Sequence, residues 1–98
     1  MAMKHASIAA INAEFAARLR AGETLLGAII ALPCAEVAEM FSRAGFDWLF
    51  IDTEHAPLDY LAAQGLLQAA RCPCLVRVPV GEEAVIKKAL DIGAAGVV

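Results

Sequence analysis

The sequence predicts an α/β fold in which about four parallel strands alternate with helices. Three observations carry that expectation. Short aliphatic runs take turns with longer stretches whose apolar residues recur every three or four positions. Gly22, Gly45 and Gly93 each fall where a helical stretch ends. The 98 residues are 60% hydrophobic, 19% charged and 6% aromatic, which suits strands buried beneath helices and excludes a disordered chain.

Ser7 to Arg20 is alanine-rich with Ile8, Ile11, Phe15 and Leu19 at helical spacing; Ser7 is its expected N-cap and Gly22 its stop. Leu25 to Leu32 is a continuous apolar run, expected as a strand buried on both faces. Glu36 to Arg43 is helical through Val37, Met40 and Phe41. Asp47 to Ile51 is the second strand, and the polar loop Asp52-Thr53-Glu54-His55-Ala56-Pro57 follows it. Leu58 to Arg71 is the next helix, its apolar face assigned to Leu61, Leu66, Leu67 and Ala70. Cys74 to Val78 is a strand closed by Pro79, Glu82 to Ile92 a helix, and Ala95 to Val98 the start of another strand.

Such alternation implies right-handed βαβ units around a parallel sheet. The glycine-rich dinucleotide fingerprint is missing after the first strand, which argues against a Rossmann arrangement. Four strands cannot close a barrel, so residues 1–98 are read as one partial domain, the N-terminal half of a (β/α)8 TIM barrel.

A formal charge of −3 with scattered basic residues argues against nucleic acid or an anionic membrane as partner. No apolar run, Leu25 to Pro33 included, approaches the ~20 residues of a spanning helix. Glu14 and Arg18 interrupt the alanine-rich N-terminal stretch, so no secretory signal is expected. Cys34, Cys72 and Cys74 match neither a redox nor a zinc spacing; reduced, structural thiols of a cytoplasmic protein are expected.

In a parallel α/β protein, reactive groups gather at the C-terminal ends of the strands. The Asp52–Pro57 loop lies there, and so does Arg77, set within Leu-Val-Arg-Val-Pro. An imidazole such as His55, beside carboxylates, can accept a proton from carbon or oxygen near neutral pH. Arg77 could bind a substrate carboxylate or a developing enolate through its forked donors. The plainer alternatives are a solvated loop histidine, an Arg77 paired with Asp52 or Glu54, and an Asp52 that accepts backbone N–H bonds to hold the loop. Trp48 reads as core, and Glu82 and Glu83 as carboxylates that suit a helix N-terminus. The lysines are Lys4, near the N-terminus, and the mid-helix pair Lys87 and Lys88; none is placed to form a Schiff base at a strand end. Carbanion stabilisation would then fall to a metal ion acting as a Lewis acid.

The run from Ala44 to Pro57, with its Asp52-Thr53-Glu54-His55-Ala56-Pro57 core, resembles the signature of the HpcH/HpaI aldolase family. Val76-Arg77-Val78-Pro79 and the stretch from Ile86 to Val98 also match it, and the likeness covers nearly all of the chain from about Leu19 onward. The resemblance implies a class II pyruvate aldolase, joining or cleaving a carbon–carbon bond between pyruvate and an aldehyde with Mg²⁺, Mn²⁺ or Co²⁺. It implies that His55 is the general base, that Arg77 stabilises the pyruvate enolate and that Asp91 raises the basicity of the histidine. Glu54 matches a glutamate near metal-bound waters. The glutamate and aspartate that bind the metal in the family are expected beyond Val98, so the chain by itself is expected to be inactive or to need a complementing partner. Family members form trimers or hexamers with sites close to subunit boundaries. Ala31-Leu32-Pro33-Cys34 replaces a variable stretch that shapes the aldehyde pocket, which leaves specificity open.

Two other readings compete with the aldolase. One is a CoA-thioester lyase of the citrate lyase β-like branch, although that branch lacks the Glu-His-Ala-Pro loop. The other is a non-catalytic fragment that self-associates through its open strand edges.

Overall fold

Ser7 opens the first helix as the sequence predicts, its hydroxyl accepting from the Ala10 amide at 3.1 Å to cap α1 (Ile8–Arg20). The computed structural model describes residues 7–98. Lys4 and the first residues weighed for a secretory signal therefore lie outside the described residues. Gly22 ends α1 with a positive φ of 78°, and Gly45 and Gly93 do the same after later helices with φ of 104° and 108°. Only glycine adopts these values without strain.

Four strands, β1 (Gly27–Ile30), β2 (Trp48–Asp52), β3 (Cys74–Arg77) and β4 (Gly96–Val97), pair in parallel in the order β1-β2-β3-β4. They are joined by α2 (Ala35–Arg43), α3 (Tyr60–Ala69) and α4 (Glu83–Asp91). Every crossover advances by one strand in the same direction, so right-handed connections leave α2, α3 and α4 on one face of the sheet. A doubly wound sheet would reverse direction and carry helices on both faces. The observed order is that of a (β/α) barrel wall.

Register then decides which side chains share a face. Leu49 pairs with Cys74, and Ile51 with both Ile30 and Val76. Leu49, Ile51, Ile30, Val76 and Cys74 are all buried, and with Ala38, Ala63, Leu66 and Ala89 they form the core beneath the helices. The other face carries Ile29, Phe50, Asp52, Leu75 and Arg77, the intervening positions of the same strands.

Two expectations fail here. Leu25–Leu32 is not buried on both faces: the strand is Gly27–Ile30, Ile30 is buried and Ile29 is 69% exposed, because only one face carries helices. Leu61 does not join the apolar face of its helix and is 78% exposed. The helix begins at Tyr60, after Asp59, whose carboxylate accepts from the Ala62 amide at 2.8 Å. At 100° per residue, Leu61 then points away from the stripe of Ala63, Leu66, Leu67 and Ala70. On α2, Met40 is exposed and Ala38 is the buried residue.

α1 lies across the N-terminal ends of the strands. Phe15 meets Trp48, the first residue of β2, with ring centroids 6.3 Å apart. The Asn12 amide donates to the Gly93 carbonyl at 3.3 Å, and Arg18 pairs with Asp47 at 3.2 Å. The polar loop after β2 sits at the other end of the sheet.

Candidate active site

The register that builds the core also sets Asp52 and Arg77 side by side, as Cα partners at the C-terminal ends of β2 and β3. Strand alternation puts Phe50 one layer below them, and the guanidinium carbon lies 5.3 Å from the centre of its ring. Arg77 Nε donates to Asp52 Oδ1 at 3.1 Å and Nη2 to Oδ2 at 2.6 Å, a paired arrangement that a lysine could not make. Among the described residues Nη1 has no hydrogen-bond partner, so one edge of the guanidinium remains available.

Asp52 is a buried carboxylate, 5% exposed. Beyond Arg77 its Oδ1 accepts from the amides of Glu54 and His55, each at 2.9 Å. The hydrogen bonds from Arg77, then those from the two amides, hold its carboxyl well below the ordinary carboxylate range against the opposing effect of burial. Arg77 is shifted upward by the same pairing. Thr53 ties the loop to β3 as well, its amide donating to the Arg77 carbonyl at 3.0 Å. Both structural roles weighed from the sequence, an ion-paired Arg77 and a loop-holding Asp52, are thus present together.

His55 projects from this loop with its side chain 69% exposed, and Nε2 lies 2.9 Å from Glu54 Oε1. The same Glu54 oxygen is 3.7 Å from Arg77 Nε. Beside these groups an open cleft of about 430 Å³ runs between Glu54, Arg77, Val78, Pro79, Ile86 and Val97, with one charged edge and an aliphatic wall.

Asp91 is not brought to His55. It is the exposed last residue of α4, a helix of nine residues that starts beside the C-terminal end of β3 and runs back to the start of β4. That places it about 13 Å down the helix axis from the level of the loop, at 1.5 Å per residue. The carboxylate beside His55 within the chain is Glu54. Lys87 and Lys88 are exposed on α4, one paired with Glu83 at 2.7 Å and the other 5.4 Å from the Tyr60 ring. Phe50 was not singled out from the sequence. Its signal was the two-residue spacing to Asp52 on a strand whose neighbour carries the arginine.

The donor set does not by itself fit a divalent ion. Among the described residues no three His, Cys, Asp or Glu side chains converge as a bound metal requires. Both Asp52 oxygens are engaged, and Glu54 Oε1 already faces His55 and Arg77. The three cysteines are free thiols; burial pushes Cys72 up to about 11 and Cys74 up to about 12, which makes both poor nucleophiles.

The family model described as HpcH/HpaI aldolase/citrate lyase matches residues 27–98. A hydroxypyruvate/pyruvate aldolase of Pseudomonas aeruginosa is 46% identical over 84 residues, covering 83% of this chain and 31% of the relative. A 4-hydroxy-2-oxovalerate aldolase of Rhodococcus jostii is 44% identical over 85 residues, covering 83% and 33%. The chain spans about a third of the length of the curated relatives it matches. Among solved structures, a family protein from Burkholderia cenocepacia superposes with a TM-score of 0.79 at 38% identity, covering 86% of this chain and 35% of its own. A citrate synthase superposes at 0.75 with 31% identity, covering 83% and 34%.

Proposed function

The chain belongs to the HpcH/HpaI aldolase/citrate lyase family, and on that footing we propose that its residues serve an aldolase that makes or breaks a carbon–carbon bond beside a pyruvate enolate. One observation carries the reading: the guanidinium of Arg77, fixed on one edge and free on the other, stands at the strand ends next to the His55–Glu54 pair. A substrate carboxylate or enolate oxygen meets the free Nη1 edge. His55, its Nε2 2.9 Å from Glu54 Oε1, takes the proton whose removal starts cleavage or forms the enolate. Phe50 beneath the guanidinium and Asp52 beside it keep the cation in place as negative charge develops on the substrate. The aliphatic wall of the cleft receives the aldehyde's carbon chain, while its charged edge keeps the keto acid.

A divalent ion (Mg²⁺, Mn²⁺ or Co²⁺) remains part of the proposal through the family likeness alone. Its carboxylate ligands are not among the described residues, and no step is assigned to it. Asp91 enters the same way. Since one chain holds Asp91 and His55 at opposite ends of the sheet, Asp91 would serve the histidine of a neighbouring copy in a homo-oligomer. The alternative is a lyase acting on CoA thioesters, and the matching family model is described as covering citrate lyase as well as aldolase. The Glu54-His55-Ala56-Pro57 loop favours the aldolase.

Proton–deuterium exchange at the pyruvate methyl group, followed by NMR with Mn²⁺ or Mg²⁺ against chelator, tests the reading. Exchange that disappears in both His55→Ala and Arg77→Ala supports it. Exchange that persists in the two variants, or that never occurs in a folded sample, overturns it.

A further inference from the structure

We infer that Asp52 is a positioning residue for the reaction, one that fixes the anion-binding arginine and the base-carrying loop relative to each other. The inference rests on the aldolase reading above and adds a residue to it. Asp52 spans two elements at once. Its two oxygens hold the Nε and Nη2 edge of Arg77 on β3, at 3.1 Å and 2.6 Å. Its Oδ1 also takes the amides of Glu54 and His55, which set the first turn of the loop. With three donors on Oδ1 and one on Oδ2, and the side chain 7% exposed, the carboxylate is spent as an acceptor and out of reach of substrate.

The consequence is geometric. A free guanidinium offers two forked faces to a carboxylate. Asp52 occupies one, so an incoming anion is met by the Nη1 side only and approaches from the side of the cleft. The same carboxylate that turns Arg77 this way also turns the peptide that carries His55. Asparagine at this place keeps the size and can still accept the two amides through its carbonyl oxygen. Its NH2 group, however, faces the Nη2 donor and breaks the pairing with Arg77.

Oxalate, a planar dicarboxylate shaped like the pyruvate enolate, is the probe. Its dissociation constant is measured in the presence of Mn²⁺ for the wild type, Asp52→Asn, Arg77→Ala and the double variant. A residue that works through Arg77 weakens oxalate by about tenfold in the wild-type background and by less than about twofold once Arg77 is gone. Equal losses in both backgrounds mean a general structural effect and overturn the inference. A second readout does not depend on oxalate. In the wild type the Arg77 Nε–H proton should exchange slowly and lose that protection in Asp52→Asn; fast exchange in the wild type, or protection retained in the variant, also overturns it. A wild type that ignores oxalate while its Arg77 Nε–H proton behaves as expected counts against the aldolase reading and leaves the positioning role standing.

Discussion

Asp52 and Arg77 face each other across β2 and β3, joined by two hydrogen bonds of 3.1 Å and 2.6 Å at a carboxylate buried in the sheet. The pairing gives the fold an acid sensitivity. Asp52 has an ordinary value of 3.8, and Arg77 with the loop amides holds it well below that in the folded chain. The unfolded chain therefore binds this proton more tightly. Asp52's contribution to stability is complete above about pH 4 and fades as pH falls through the depressed value. Urea midpoints measured from pH 6 down to pH 2 should fall more steeply for the wild type than for Asp52→Asn below about pH 4. Parallel curves would show that the pair does not couple to folding.

Gly27 and Trp48 are partners in the register, and a Cβ built on Gly27 would sit 2.3 Å from the indole ring. The ring is held from two sides, by a Nε1 hydrogen bond of 3.4 Å to the Leu25 carbonyl and by Phe15 of α1. It has little room to retreat. Gly27→Ala should cost about 1–3 kcal/mol by overpacking. Denaturant titration gives the loss, and the fluorescence of the single tryptophan reports whether the ring moves. An unchanged midpoint with unchanged emission would refute the clash.

Leu66 and Leu61 lie on one helix with opposite fates, 1% and 78% exposed. Leu66→Ala should cost about 2–5 kcal/mol. Leu61→Ser should stay within about 0.5 kcal/mol. Similar losses for the two, measured by thermal unfolding, would place the helix in a different rotation.

Much of this fold was legible because its signals are local. Ser7, Gly22, Gly45 and Gly93 mark helix ends through backbone chemistry that does not depend on what packs nearby. The rotation of a helix is not local. Leu61 looked like a core residue because a leucine at helical spacing fits either side of a broad apolar stripe. Small Ala38 and Ala63, fully buried at close helix approaches, decide the matter. The same holds for the site. His55 and Arg77 could be picked out because polar residues at strand ends stand out in an apolar sequence. Their coupling could not, since it depends on the register that sets Asp52 opposite Arg77, a property of two strands. Asp91, named only through the family likeness, lies at the far end of α4, which turns a residue role into a question about assembly.

That question has a direct test. If Asp91 serves His55 of a neighbouring copy, His55→Ala and Asp91→Ala should each abolish methyl exchange of pyruvate when assayed alone. Mixed under conditions that let subunits trade places, the two variants should regain activity. A site then works only where an intact His55 meets an intact Asp91 from its neighbour. In a closed ring of randomly mixed copies that happens at about a quarter of the sites, which sets the expected recovery relative to wild type. The rise should follow subunit exchange in time and vanish at dilutions where copies separate. No recovery on mixing would rule out a shared site. An Asp91→Ala protein as active as the wild type would remove Asp91 from the chemistry and leave Glu54, 2.9 Å from the imidazole, as the carboxylate that orients the base.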